Sequence, residues 1–341
     1  MAQLDIIAGD GFSTRELSDA ISIVPNQWGR IGEMGLFTPK PLRTAEFSIE
    51  AKGGFLQLIQ SSQRGTNLPG RQRGKRALHT FRTERFGLEG RVTAEDIAAI
   101  RAFGSETELM QVQDVINDEL VELRASLDIT REWLRATALQ GLVKDADGTT
   151  ILDLHSAFGI TKKSVDFTFA TSGTDTAGKA RSVKRHIEQN LLGDVMTGAH
   201  VLCSPEFWDE MMEDEAFKRA YDFYMGVNPM RDDVRKGFDW QGLTWEEYLG
   251  EASVPNEDGT MTIRRFVPQG EAFAFPVGTR NTFRQYNSPA DFIETVNQPG
   301  MEYYAKATPD PKGRYVDIDA LMQTLPICMR PGATVRLHSS N

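Results

Sequence analysis

A chain of 341 residues with 40% hydrophobic content and a formal net charge of −10 can bury one large core or two moderate ones. No apolar run approaches the roughly 20 residues that cross a bilayer, and the opening MAQLDIIAGDGFSTREL lacks the basic-then-apolar order of a secretory signal. The acidic balance argues against a surface that grips nucleic acid throughout, and two isolated cysteines, Cys203 and Cys328, read as buried thiols of a reducing compartment rather than a disulfide scaffold or zinc site.

The charge is unevenly spread. Residues 61–82 carry Arg64, Arg71, Arg73, Lys75, Arg76 and Arg82 without one acid, and are punctuated by Gly65, Pro69, Gly70 and Gly74. Such a stretch has no apolar content to form a core and reads as a polar excursion. Residues 45–50 and 55–59 lead in with partial strand alternation and residues 79–86 lead out with spaced Phe, so the segment is expected to be a long β-hairpin arm with a basic tip.

A helix start follows, with Thr93 as N-cap and Asp96 three residues on. After Gly104-Ser105, apolar residues from Leu109 through Leu120, Leu127 and Leu134 to Ala138 recur three or four apart. No Gly or Pro interrupts 106–140, which predicts one helix of about 50 Å. The other face carries Glu106, Glu108, Asp114, Asp118, Glu119, Glu122, Asp128 and Glu132, ordinarily a solvated face, but beside so basic an arm it also suggests pairing between copies.

Gly141 should end the helix and residues 145–148, DADG, should turn into a strand. Strands are expected at 158–160 and 165–169, a linker at 171–176, a helix at 179–192 and a buried strand at 199–204. A single helix over 205–224 would open on the Ser204 cap with Pro205 at its first position. This alternation reads as an α/β lobe inserted into another sheet, to which 266–275 and 315–325 would return.

Chemical motifs are weak. In residues 65–72 Arg71 and Gln72 stand where a phosphate-binding loop needs Lys and Ser or Thr, and after Gly74-Lys75 the hydroxyl that would bind magnesium is replaced by Arg76. The DADG turn lacks the later Gly and Glu of a calcium loop. Five scattered histidines have no ligand spacing, and no G-x-S-x-G elbow is present. No enzyme, cofactor or metal is expected.

Three stretches carry a resemblance: ALQGLVKDADGTTILDLHSAFGI after the long helix, RRFVPQGEAFAFPVGTRNTFRQYNSPAD, and the ending ATPDPKGRYVDIDALMQTLPICMRPGATVRL. Their order over essentially the full chain resembles the lambda-like phage major capsid proteins, with the α+β Hong Kong 97-type fold. That resemblance implies an N-terminal arm (1–40), an extended loop (41–92), a peripheral domain with a long spine helix (93–170 and 260–341) and an axial domain (171–259). It further implies a virion subunit assembled in the host cytoplasm, forming hexamers and pentamers of an icosahedral shell around double-stranded DNA held without sequence specificity. The implied partners are further copies, a separate scaffolding protein, a portal protein and a possible decoration protein; no membrane is implied. The arm begins within the first few dozen residues, so scaffolding is expected from a separate chain, without extensive trimming. The Lys–Asn crosslink of some such shells is not carried over, because no pair here aligns with it.

In this fold the extended loop lies over the neighbouring subunit's peripheral domain. The expected contact is therefore between the tip residues Arg64, Arg71, Arg73, Lys75 and Arg76 and the spine acids Asp114, Asp118 and Glu122 of an adjacent copy. The competing expectations are an encapsulin-like nanocompartment shell, which shares the fold, and a nucleic-acid-binding protein acting through the basic loop.

Overall fold

The computed structural model describes residues 18, 21, 29–52, 76–96, 108–171, 173–227, 237–256 and 260–340. In chain order the first elements are α1 (Arg30–Glu33), β1 (Thr38–Pro41), β2 (Glu46–Lys52), β3 (Arg76–Arg82), β4 (Glu84–Thr93) and α2 (Glu108–Leu139). Next come β5 (Leu142–Lys144), β6 (Thr150–Asp153), α3 (Leu154–Phe158), β7 (Lys163–Asp166), α4 (Thr176–Asn190), β8 (Gly198–Cys203), α5 (Pro205–Glu213) and α6 (Glu215–Val227). The remaining strands are β9 (Phe238–Trp240), β10 (Leu243–Glu247), β11 (Glu251–Pro255), β12 (Met261–Arg265) and β13 (Glu271–Val277). The last four are β14 (Phe283–Asn287), β15 (Tyr304–Pro309), β16 (Tyr315–Cys328) and β17 (Val335–His338).

The chain forms two compact units. The first comprises Met1–Phe47, Arg82–Leu134 and Gln285–Pro326, the second Ser48–Phe81, Arg135–Arg284 and Ile327–Asn341. The first is built on a five-stranded sheet ordered β1-β14-β16-β15, with β4 also paired to β16. The long strand β16 pairs antiparallel with β4 from Tyr315↔Thr93 to Thr324↔Glu84 and with β15 from Tyr304↔Leu321 to Pro309↔Val316. Val316, Ile318 and Ala320 are buried at alternate positions, as one covered face requires; beyond Ala320 nearly every residue of β16 is buried. The apolar stripe of α2 includes Ile116, Leu120, Leu123, Leu127 and Leu134, all buried, which is the expected spacing of three and four.

The second unit holds a mixed six-stranded sheet ordered β7-β17-β13-β8-β10-β9. Strands β8 and β10 run parallel, with α5 and α6 in the crossover that parallel pairing demands, while β13 runs antiparallel to both β8 and β17. Central strands covered on both faces read as continuous apolar runs, and AHVLC and AFAF do so here. Helices α4, α5 and α6 pack one core with the sheet, through Ala180, Val183 and Ile187, Phe207, Trp208 and Met211, and Phe217.

Several local expectations hold. The helix expected over 106–140 is described over 108–139, and Gly141 follows it at φ 81. Glycine is required there twice, because a Cβ would also overlap the His155 ring. Ser204 accepts from the Phe207 amide at 3.3 Å and Pro205 opens α5. The Thr93 amide and hydroxyl both donate to Asp96, at 2.8 and 2.7 Å, and hold its carboxyl below the usual range.

Other expectations are corrected. The helix expected over 205–224 breaks at Asp214, whose backbone is extended, because its carboxylate caps a second helix, accepting from the Phe217 amide at 3.0 Å and the Thr176 hydroxyl at 3.1 Å. Phe158 lies in a short helix, not a strand, since Asp153 caps α3 by accepting from the amides of His155 and Ser156. Strand β7 ends at Asp166, before the expected 169, and Thr168 takes φ 46. Residues 266–275 do not return to the sheet of β16. Strand β13 lies at the centre of the six-stranded sheet, where its small and aromatic residues are covered on both faces.

Candidate assembly surfaces

The acids along α2 fall into two populations. Asp128 and Glu132, expected on the solvated face, are 2% and 1% exposed. The correction has a clear cause, because both have partners far along the chain. Asp128 accepts from Arg124 at 3.0 Å and from the Tyr303 hydroxyl, and lies 3.7 Å from Arg131. Arg131 in turn pairs with Glu302 at 2.7 Å. The guanidinium carbons of Arg124 and Arg131 stand 3.6 and 4.8 Å from the Tyr303 ring centroid. Burial pushes the Tyr303 phenol well above its ordinary range, the two guanidiniums opposing it and Asp128 adding to it. The phenol is therefore a proton donor at neutral pH.

The same network pins the N-terminal segment. Arg124 donates to the Ile21 carbonyl, and the Ser18 hydroxyl accepts from the Ala305 amide at 3.0 Å. Glu132 accepts from the amides of Ile31 and Gly32 at 2.6 and 3.1 Å, at the start of α1. Gly29, at φ 116, is obligatory beside it, since any Cβ would overlap the Glu132 carboxylate.

Asp118 and Glu122 are exposed, four residues apart on one face of α2, with exposed Ser126 continuing that face. Between them Glu119 packs on Gly90. Burial first, then the nearby charges of Glu122 and Asp96, hold its carboxyl above the usual range. Asp114 belongs to α2, but its side chain lies outside the described residues. Strands β2 and β3 pair as the two sides of the expected hairpin. Arg64, Arg71, Arg73 and Lys75 lie outside the described residues, and of Arg76 only the backbone is described, as the first residue of β3. The structure thus places Asp118 and Glu122 on one exposed face of α2.

Three surface features were not singled out from the sequence. Helix α4 is basic on its outer side, helix α5 is wholly acidic on its own, and Val195, Ile293 and Val296 are large apolar side chains that stand 74%, 91% and 60% exposed. Single charges and valines give no signal until the burial of their neighbours fixes the phase. Both thiols are buried and free, and burial pushes Cys328 up to about 12 and Cys203 likewise upward, so neither is a nucleophile. Among the described residues no three His, Cys, Asp or Glu side chains group as metal ligands, and no helix is long and apolar enough to cross a membrane.

A family described as phage major capsid protein E matches residues 13–339. The chain is similar to the major capsid protein of Pseudomonas phage KPP10, at 27% identity over 96% of this chain and 97% of that one. It is similar also to the major capsid protein of Salmonella phage Felix O1, at 24% identity over 96% of each. Among solved structures, the head of Helicobacter pylori bacteriophage KHP40 shares the fold at TM-score 0.53 and 10% identity, over 94% of each chain.

Proposed function

Because the chain belongs to the phage major capsid protein E family, we propose that its copies assemble as hexamers and pentamers of an icosahedral head, joined by the basic loop tip of one copy and the exposed spine acids of the next. The fold is the α+β Hong Kong 97-type capsid fold, and the function is that of a bacteriophage major capsid protein, located in the virion capsid. The nanocompartment and nucleic-acid-binding alternatives fall away with that membership, and the resemblance to lambda-like capsid proteins holds at the level of the phage major capsid protein, since the relatives matched are major capsid proteins of other phages. The observation carrying the reading is a family match that runs almost from end to end.

In the finer reading, residues 1–40 act as an arm, 41–92 as the extended loop, 93–170 with 260–341 as the peripheral part, and 171–259 as the axial part. The subunit has no catalytic turnover. It assembles in the host cytoplasm on a separate scaffolding protein, meets a portal at one vertex, and encloses DNA without reading its sequence.

The loop contact is electrostatic. Each exposed ion pair stabilises by about 0.2–1 kcal/mol, but a shell repeats it at every copy. Replacing Arg71, Arg73 and Arg76 together with Glu should impair particle formation while leaving the subunit's thermal melt unchanged. Raised salt should weaken wild-type assembly in the same direction. A triple variant that assembles normally at low salt would show the tip to be a solvated loop.

A further inference from the structure

In the second unit, α4 and α5 pack their apolar faces into one core with the same sheet and leave opposite charges on their outer sides. Helix α4 carries Lys179, Arg181, Lys184 and Arg185 against one acid, Glu188, while α5 carries Glu206, Asp209, Glu210 and Glu213 and no base. Arg181 and Arg185 are exposed and four residues apart, and so are Asp209 and Glu213. Like charges at that spacing oppose the helix that bears them.

Little within the chain offsets them. Arg181 reaches the Gln241 side chain at 3.0 Å and Asp175 only at 4.0 Å. Glu206 is already paired with Arg265, and Lys179 donates to the Phe167 carbonyl and the Thr168 hydroxyl. Among the described residues Lys184, Arg185, Asp209 and Glu213 have no ion-pair partner.

We propose that the basic face of α4, through Arg181 and Arg185, docks on the acidic face of α5, through Asp209 and Glu213, of the next copy, head to tail around a ring. The inference rests on the shell reading above and names the surface by which copies within one ring meet. Two complementary faces on one unit form a heterologous interface, which closes into a ring when the rotation between copies allows. A positive face meeting a negative one also excludes the reversed orientation, since α4 on α4 or α5 on α5 sets like charges together.

Head-to-tail pairing makes a prediction that a self-facing contact does not. One variant carries Arg181→Glu with Arg185→Glu, so both its docking pairs are acidic; a second carries Asp209→Lys with Glu213→Lys, so both its docking pairs are basic. Each alone should lose the ring and particle species in sedimentation, with a thermal melt like that of the wild type. Mixed in equal amounts, they should regain rings by alternating. Alternation fits only an even number of copies, so six-membered rings should return and five-membered rings should not. Either variant assembling alone like the wild type, or a mixture as inert as its components, would overturn the inference. Wild-type chain that forms no assembly even with a scaffolding protein would instead overturn the shell reading beneath it.

Discussion

Asp128→Ala is expected to destabilise the isolated subunit by about 3–5 kcal/mol, read as a fall in the urea midpoint at unchanged slope. Asp128 is 2% exposed and is the carboxylate shared by Arg124, Arg131 and the Tyr303 hydroxyl. Its removal leaves a buried Arg124 without its carboxylate and a buried phenol without its acceptor, and the desolvation of those groups is then uncompensated. Arg131 keeps Glu302 and Arg124 keeps the Ile21 carbonyl, so the network is weakened rather than erased. The exposed acid Asp118, ten positions earlier on the same helix, is the control, and Asp118→Ala should lie within about 0.5 kcal/mol of the wild type. Equal effects at the two positions would mean that Asp128 is solvated and the network is not formed.

Phe217→Ala should cost a similar amount, about 3–5 kcal/mol, from the core of the second unit. Phe217 is fully buried, and its ring lies 5.2 Å from those of both Phe238 and Trp240 and 6.0 Å from that of Trp208, each near edge-to-face. Truncation leaves a cavity bounded by large aromatic rings, which have little freedom to collapse into it. The same helix carries Phe223, 74% exposed, and Phe223→Ala should leave the urea midpoint nearly unchanged. Since Phe217 and the buried faces of α4 and α5 belong to one core, the truncated subunit should also assemble less readily.

The sequence made the long spine helix legible to within one residue of its end, because apolar spacing of three and four ran without Gly or Pro. The Ser204 cap and the strand before it were legible for similarly local reasons. What failed was non-local. Asp128 and Glu132 look like their acidic neighbours, and only Tyr303, 175 positions away, and the amides of α1, 100 and 101 positions away, show them to be interior. Asp214 looked like one more acid of a helix until its capping of Phe217 and its bond to Thr176 broke that helix in two. The destination of β13 depends on strand pairing, and an apolar run states only that it is covered on both faces.

The candidate surfaces divide in the same way. The basic composition of the loop tip is plain from residue types alone, whereas its contacts depend on a second chain. The charges of α4 and α5 were equally visible as composition. Their standing as outer sides of opposite charge appears only once Ala180, Val183 and Ile187 on one helix, and Phe207, Trp208 and Met211 on the other, fix which sides point inward.

The central claim, that this chain is a shell subunit, is tested most directly by negative-stain electron microscopy of the purified protein, expressed alone and together with a scaffolding protein. The account predicts six- and five-membered rings and closed particles of uniform diameter, more abundant with the scaffold and diminished by salt. A protein that stays strictly monomeric under both conditions, at low salt and high concentration, would contradict it.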